Sequence, residues 1–136
     1  MFNGLHRTAL SVLCFFVAGA ASGAPPTPYR VYRNPSNSVH IRPQPCGANI
    51  CGIVIWANEK AKADAARGGT SRLNGQQLFK DFTPDGPDRW KGSVFVPDIN
   101  KTFSGHVARV NARTLKGTGC LVGRIGCKSQ VWTLVD

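Results

Sequence analysis

The chain has 136 residues, enough for one modest hydrophobic core and too few for two ordinary domains. Its 17 lysines and arginines against 7 acidic residues give a net charge of +10, a balance that draws in nucleic acid, anionic lipid or polyanionic glycan. The cations are scattered singly or a residue or two apart, as at Arg30 and Arg33 or Lys60 and Lys62, which excludes a basic tail.

The first residues set the compartment. MFNGLHR is basic and free of acids, TALSVLCFFVAGA is an uncharged apolar run of signal-peptide length, and AASGA supplies the small residues a signal peptidase needs. The run is too short for a permanent transmembrane helix, so no membrane span is expected in the mature chain. Because proline fits poorly after a scissile bond, cleavage is expected near Gly23, with Ala20 the next choice. Residues 1–23 then form a removed leader and 24–136 a single domain that is exported, periplasmic or secreted. Losing Arg7 leaves 16 basic against 7 acidic residues, a net of about +9. Export argues against nucleic acid as a partner; a solvated surface or an anionic envelope component remains.

Loss of Cys14 with the leader leaves Cys46, Cys51, Cys120 and Cys127, an even count in an oxidising compartment. Two disulfides are expected. A zinc site built from all four thiolates is the sharper alternative, but C-x4-C with C-x6-C matches its usual spacing only loosely.

After the entry APPTP the chain alternates short strand patterns with turn clusters. Strands are predicted over 29–33, 38–44, 51–57, 77–83, 89–96, 102–110, 114–121 and 127–135. The breakers NPSN, GAN, TPDGPD, PDIN, NART and VGRIG carry the residues that turns require. One helix is predicted: Asn58 caps EKAKADAAR and Gly68 with Gly69 ends it. Its apolar residues are all alanines, so it should lie across a rim. Six of the seven connections are short, the pattern of an all-β antiparallel up-and-down meander with one short helix between strands 3 and 4. Closure into an eight-stranded barrel removes its exposed edges and leaves an interior that side chains fill or that holds one small ligand.

Pairing each cysteine with its sequence neighbour can be tested by register. Cys120 opposite Cys127 sets Leu115 against Trp132 and Thr118 against Ser129. Cys46 opposite Cys51 sets Ile41 against Trp56 and Pro43 against Val54. Both bring an aliphatic residue onto a tryptophan, a stabilising cross-strand pair. Crosswise pairing stays open. The turn PDINK should likewise put Phe95 near Phe103 and Trp90 near Ala108.

The blocks PCGANICGIVIWA, KAKADAARGGT, LFKDFTPDGPDRWKGSVFVPD, TFSG and GCLVGRIGCKSQVWTLVD together resemble the bacterial exported family known as domain of unknown function 2147. The resemblance implies a small lipocalin-like β-barrel and brings no established activity. Members commonly open with Gly-x-Trp; here PYRVYRNPSN has Val31 and Tyr32 in that region, a departure that weakens the expectation of a tryptophan closing the barrel floor and leaves Tyr32 as the candidate amphipathic plug.

Catalytic patterns are absent: there is no G-x-S-x-G, no H-E-x-x-H and no Gly-rich phosphate loop. His40 and His106 lack a second histidine at ligand spacing. Asp81, Asp85 and Asp88 suggest a calcium loop only until the missing closing glutamate is noticed, and Asp85-Gly86 reads as a turn. No catalytic residue, metal or cofactor is expected. The candidate function is binding of a small apolar or amphipathic molecule inside the barrel, with Trp56, Trp90, Trp132, Val54, Val94 and Leu115 as candidate lining. The competing reading is an envelope protein whose basic surface meets anionic lipid, glycan or a protein. Small residues at Gly92, Ser93, Ser104, Gly105, Gly117 and Gly119 leave room inside or let the strands bend.

Overall fold

The computed structural model describes residues 30–122 and 125–135, so the expected leader lies outside the described residues. Eight strands occur in chain order: β1 Tyr32–Arg33, β2 Val39–Cys46, β3 Asn49–Ala57, β4 Gln77–Pro84, β5 Arg89–Val96, β6 Lys101–Asn111, β7 Thr114–Val122 and β8 Ile125–Leu134. Each pairs antiparallel with the next, and Tyr32 of β1 faces Leu134 of β8, closing an up-and-down barrel. All eight expected strands are present. Alternation explains why: Val39, Ile41 and Pro43 turn inward along β2 while His40, Arg42 and Gln44 stay partly in water.

Helix α1, Glu59–Arg67, follows β3 as expected. The Asn58 side chain accepts from the Ala61 N–H at 2.8 Å, satisfying one of the orphan donors of the first turn. Ala65 is fully buried, and Ala61 packs on the core. Both ends of the helix are tied to neighbouring turns. The Asn58 N–H bonds to Ser38 O in the β1–β2 turn at 2.9 Å, and beyond Gly69 the Thr70 hydroxyl donates to Pro97 O in the β5–β6 turn, also at 2.9 Å. Gly68 lies so close to that turn that a Cβ would sit 1.7 Å from Asp98 O. The helix therefore lies fixed across one end of the barrel, here called the mouth. The β2–β3, β4–β5 and β6–β7 turns gather at the other, closed end.

Both disulfides are local, Cys46 to Cys51 at the closed end and Cys120 to Cys127 near the mouth. The β7–β8 register is the expected one: Leu115 faces Trp132, Thr118 faces Ser129, and those two hydroxyls share a 2.8 Å hydrogen bond. The β2–β3 register differs. Cys46 faces Asn49 and Gln44 faces Cys51, so this disulfide runs diagonally, and Pro43 faces Gly52 instead of Val54. The cause is a two-residue turn, Gly47-Ala48, with Gly47 at φ 63°, which follows strand twist better than the longer loop the cysteine spacing implied.

The β5–β6 register is one residue away from expectation, with Val94 opposite Phe103 and Trp90 opposite Val107. The loop is Pro97–Asn100, with Asn100 left-handed at φ 51°, and Lys101 already belongs to β6. The resulting registers line up Gly92 with Gly105 and Gly105 with Gly119, a row of three glycines across β5, β6 and β7.

Candidate functional site

The barrel interior has two unequal halves. Toward the closed end Ile41, Pro43, Phe82, Trp90, Val107 and Leu115 meet around a wholly apolar gap of only about 40 Å³. Toward the mouth lies a cavity of about 930 Å³. Phe79, Gly117 and Trp132 border both spaces and form the floor between them. The Phe79 and Trp132 rings meet edge to face at 5.7 Å, and Phe82 supports Phe79 from below in the same manner. Above the floor, Leu73, Leu78, Val94, Phe95 and Phe103 make an apolar wall. Gly119 contributes no side chain; a Cβ there would only touch Val94 at 3.7 Å. The rim is polar, with Asn34, Ser38, Lys60 and Asp64, and β8 adds a polar strip along the depth of the cavity, Gln130 opposite Gly117 of the floor and Lys128 opposite Gly119.

Local backbone irregularities build this arrangement. Phe79 and Phe82 are three residues apart, which would place them on opposite faces of a regular strand. Asp81 at φ 55° and the register shift between Lys80 and Thr83 bring both rings inside. Phe79 was not among the expected lining residues, nor were Phe95 and Phe103. The signal for Phe79 was the LFKDF run, whose two phenylalanines fit one face only if the strand bulges.

The expected lining residues separate into groups. Trp132 is in the floor and Val94 in the wall. Trp90 and Leu115 point inward but pack in the closed half. Val54 belongs to the packed core and lines neither space. Trp56 corrects the expectation: it is 42% exposed on the outer surface, its ring 4.5 Å from that of His40. The reason is a bulge. Ile41 faces Val54 but His40 faces Trp56, so Ile55 is an extra residue that turns Trp56 outward beside His40.

Electrostatics are mild inside and structured at the edges. Burial pushes the Tyr32 phenol above its ordinary value, partly offset by the positive charges of Arg109 and Arg30. The Arg109 guanidinium lies over the Trp90 ring, 5.5 Å from its centroid, and reaches Asp88 at 3.4 Å. His40 is held below the usual histidine range by partial burial and then by Arg33, and its Nε2 lies 2.7 Å from Asn37 Oδ1. At the mouth, Lys60 and Arg67 both engage the Asp64 carboxylate, and the hydrogen bond from Lys60 is the main cause of its lowered pKa. Asp81, Asp85 and Asp88 serve backbone geometry: Asp81 and Asp88 are left-handed, and the Asp85 N–H bonds to Arg89 O at 2.8 Å. Among the described residues no three histidine, cysteine, aspartate or glutamate side chains converge at metal-binding distance.

A closed eight-stranded barrel, packed at one end and hollow at the other, with a helix across its mouth, is a lipocalin-like small barrel. The chain belongs to the family described as an uncharacterized protein conserved in bacteria, DUF2147, whose model matches residues 30–134. Among solved structures it is similar to HP1028 from the human pathogen Helicobacter pylori, described as belonging to the lipocalin family. That match has a TM-score of 0.57 and 15% identity over 78% of this chain and 81% of the other, a likeness of fold alone. No curated protein matches the chain in sequence.

Proposed function

We propose that this is an exported, non-catalytic binding protein that holds a small apolar or amphipathic molecule in the mouth cavity. The observation that carries this reading is the cavity: about 930 Å³, floored by Phe79 and Trp132, with aliphatic and aromatic side chains on one side and the polar Lys128 and Gln130 of β8 on another. Ligand sites of ~300–1,000 Å³ with apolar walls and a few polar groups are the usual form of a small-molecule pocket. The apolar wall suits a hydrocarbon body and the rim suits a polar head.

The test uses a fatty acid as probe. A ligand present at about a hundred times its dissociation constant stabilises the native state by ~2.7 kcal/mol, a rise of roughly 10 °C in a domain of this size. Binding should also change tryptophan emission, and Trp132→Phe should remove most of that change while keeping the thermal shift. The other two indoles lie outside the cavity, Trp56 on the surface and Trp90 below the floor. The reading fails if no amphipathic or apolar probe raises the melting temperature. It also fails if the emission change survives Trp132→Phe.

A further inference from the structure

Seven large apolar side chains stand exposed among the described residues, and four of them gather at the mouth. Ile99 is in the β5–β6 turn; Leu121, Val122 and Ile125 are at the β7 and β8 ends of the next hairpin. Their exposures lie between 51% and 75%. Single exposed aliphatics are ordinary, but four on two neighbouring hairpin ends are a surface feature that calls for a partner. Ile99 and Leu121 also line the cavity, so the apolar fringe and the cavity opening are one surface.

We propose that the mouth docks on an anionic lipid bilayer, with Ile99, Leu121, Val122 and Ile125 entering the headgroup boundary. Charge complementarity selects this occupant. The same end carries Lys60, Lys62 and Arg67 on α1, Lys101 beside the Ile99 turn and Lys128 on β8, against Glu59, Asp64 and Asp98. Asp64 is engaged by Lys60 and Arg67 and Glu59 by Lys62, which leaves these residues with a surplus of two positive charges. Aliphatic tips beside a surplus of cations are the combination that holds a protein in the plane of an acidic membrane. Docking stands independently of the cavity reading. Its functional consequence rests on that reading: the opening would face the acyl region, and an amphiphile drawn from the bilayer would enter without crossing water.

The experiment is flotation of the purified chain with vesicles of phosphatidylglycerol and phosphatidylcholine, compared with phosphatidylcholine alone. The chain should float with the anionic vesicles, less so as salt rises, because surface charges are screened over about 8 Å at physiological ionic strength. The double variant Val122→Asp with Ile125→Asp should lower partitioning roughly tenfold or more, since it replaces two inserted aliphatics by anions. Neither side chain lines the cavity, so the fatty-acid response should stay as in the parent, and the two facing carboxylates at the end of the hairpin should lower the melting temperature only slightly. Vesicle binding without any fatty-acid response would support docking while removing the cavity reading. Failure to float with anionic vesicles overturns the proposal, as does flotation unchanged by the two aspartates. A dimer in sedimentation that the same aspartates dissociate would also overturn it, by making a second copy the partner.

Discussion

Gly105 and Gly119 face each other on adjacent strands, yet replacing each by alanine should move stability in opposite directions. At Gly119 a Cβ meets only Val94, at 3.7 and 3.9 Å, which is ordinary contact at the cavity wall. The change then acts mainly by restricting the unfolded chain, and Gly119→Ala should stabilise by about 0.4–1 kcal/mol. At Gly105 a Cβ would sit 2.4 Å from Val94 Cγ2 and 2.6 Å from Thr118 O. The valine can turn away, but the carbonyl belongs to β7 and cannot retreat without opening the ladder. Gly105→Ala should therefore cost about 1–3 kcal/mol, the range for overpacking. At roughly 4 °C per kcal/mol, thermal unfolding should rise by about 2–4 °C for Gly119→Ala and fall by about 4–12 °C for Gly105→Ala. Urea midpoints followed by circular dichroism give the same comparison without heating. Gly119→Leu extends the logic to function, since its side chain would occupy the cavity and weaken fatty-acid binding in a folded protein. Equal shifts for the two alanine variants would refute the assignment of which glycine is crowded and which borders open space.

Tyr32 should make stability sensitive to alkali. Its folded pKa is raised above 10.0, so above pH 10 the unfolded chain releases a proton that the folded chain keeps, and stability present below that pH is lost as pH rises through the window. Urea midpoints on either side of pH 10 should show this loss in the parent and less of it in Tyr32→Phe; identical declines would remove the buried phenol as the cause. The two disulfides should differ in role. Each closes a short loop, with sequence separations of 5 and 7, and removing either should cost about 2 kcal/mol. Replacing Cys120 and Cys127 by serine should also weaken fatty-acid binding, because Cys120 borders the cavity, whereas replacing Cys46 and Cys51 should leave affinity unchanged. Calorimetry of the two double variants compares them directly.

Strand positions were legible because alternation and turn chemistry are local: each cluster such as TPDGPD or PDIN ends one apolar period and begins another. The helix was legible for the same reason, Asn58 and Gly68 being its own punctuation. Facing direction was less so. One unpaired residue at Ile55 carries Trp56 from the interior to the surface, and one left-handed Asp81 carries Phe82 to the inside with Phe79. Neither site has a glycine to announce a bulge, and the period of two in a strand makes a single-residue error complete. The cavity was legible only as room left by small residues. Gly92, Gly105 and Gly119 lie 13 and 14 positions apart in sequence and become a row only once β5, β6 and β7 are in register.

Volume decides what kind of space this is. An empty apolar void costs about 24 cal/mol per Å³, so the gap of about 40 Å³ at the closed end costs roughly 1 kcal/mol, which a packed core tolerates. A dry void of about 930 Å³ would cost on the order of 20 kcal/mol by the same rule, more than the ~5–15 kcal/mol that holds a domain together. The mouth cavity therefore exists because it opens to water past Ser36, Lys60, Lys128 and Gln130, and its apolar wall is hydrated when unfilled. Hydrated apolar surface is the source of binding energy. A hydrocarbon that enters covers the part-buried Val94, Phe95 and Phe103 and releases the water on them, while the packed half beneath supplies the stability that lets the upper half stay hollow.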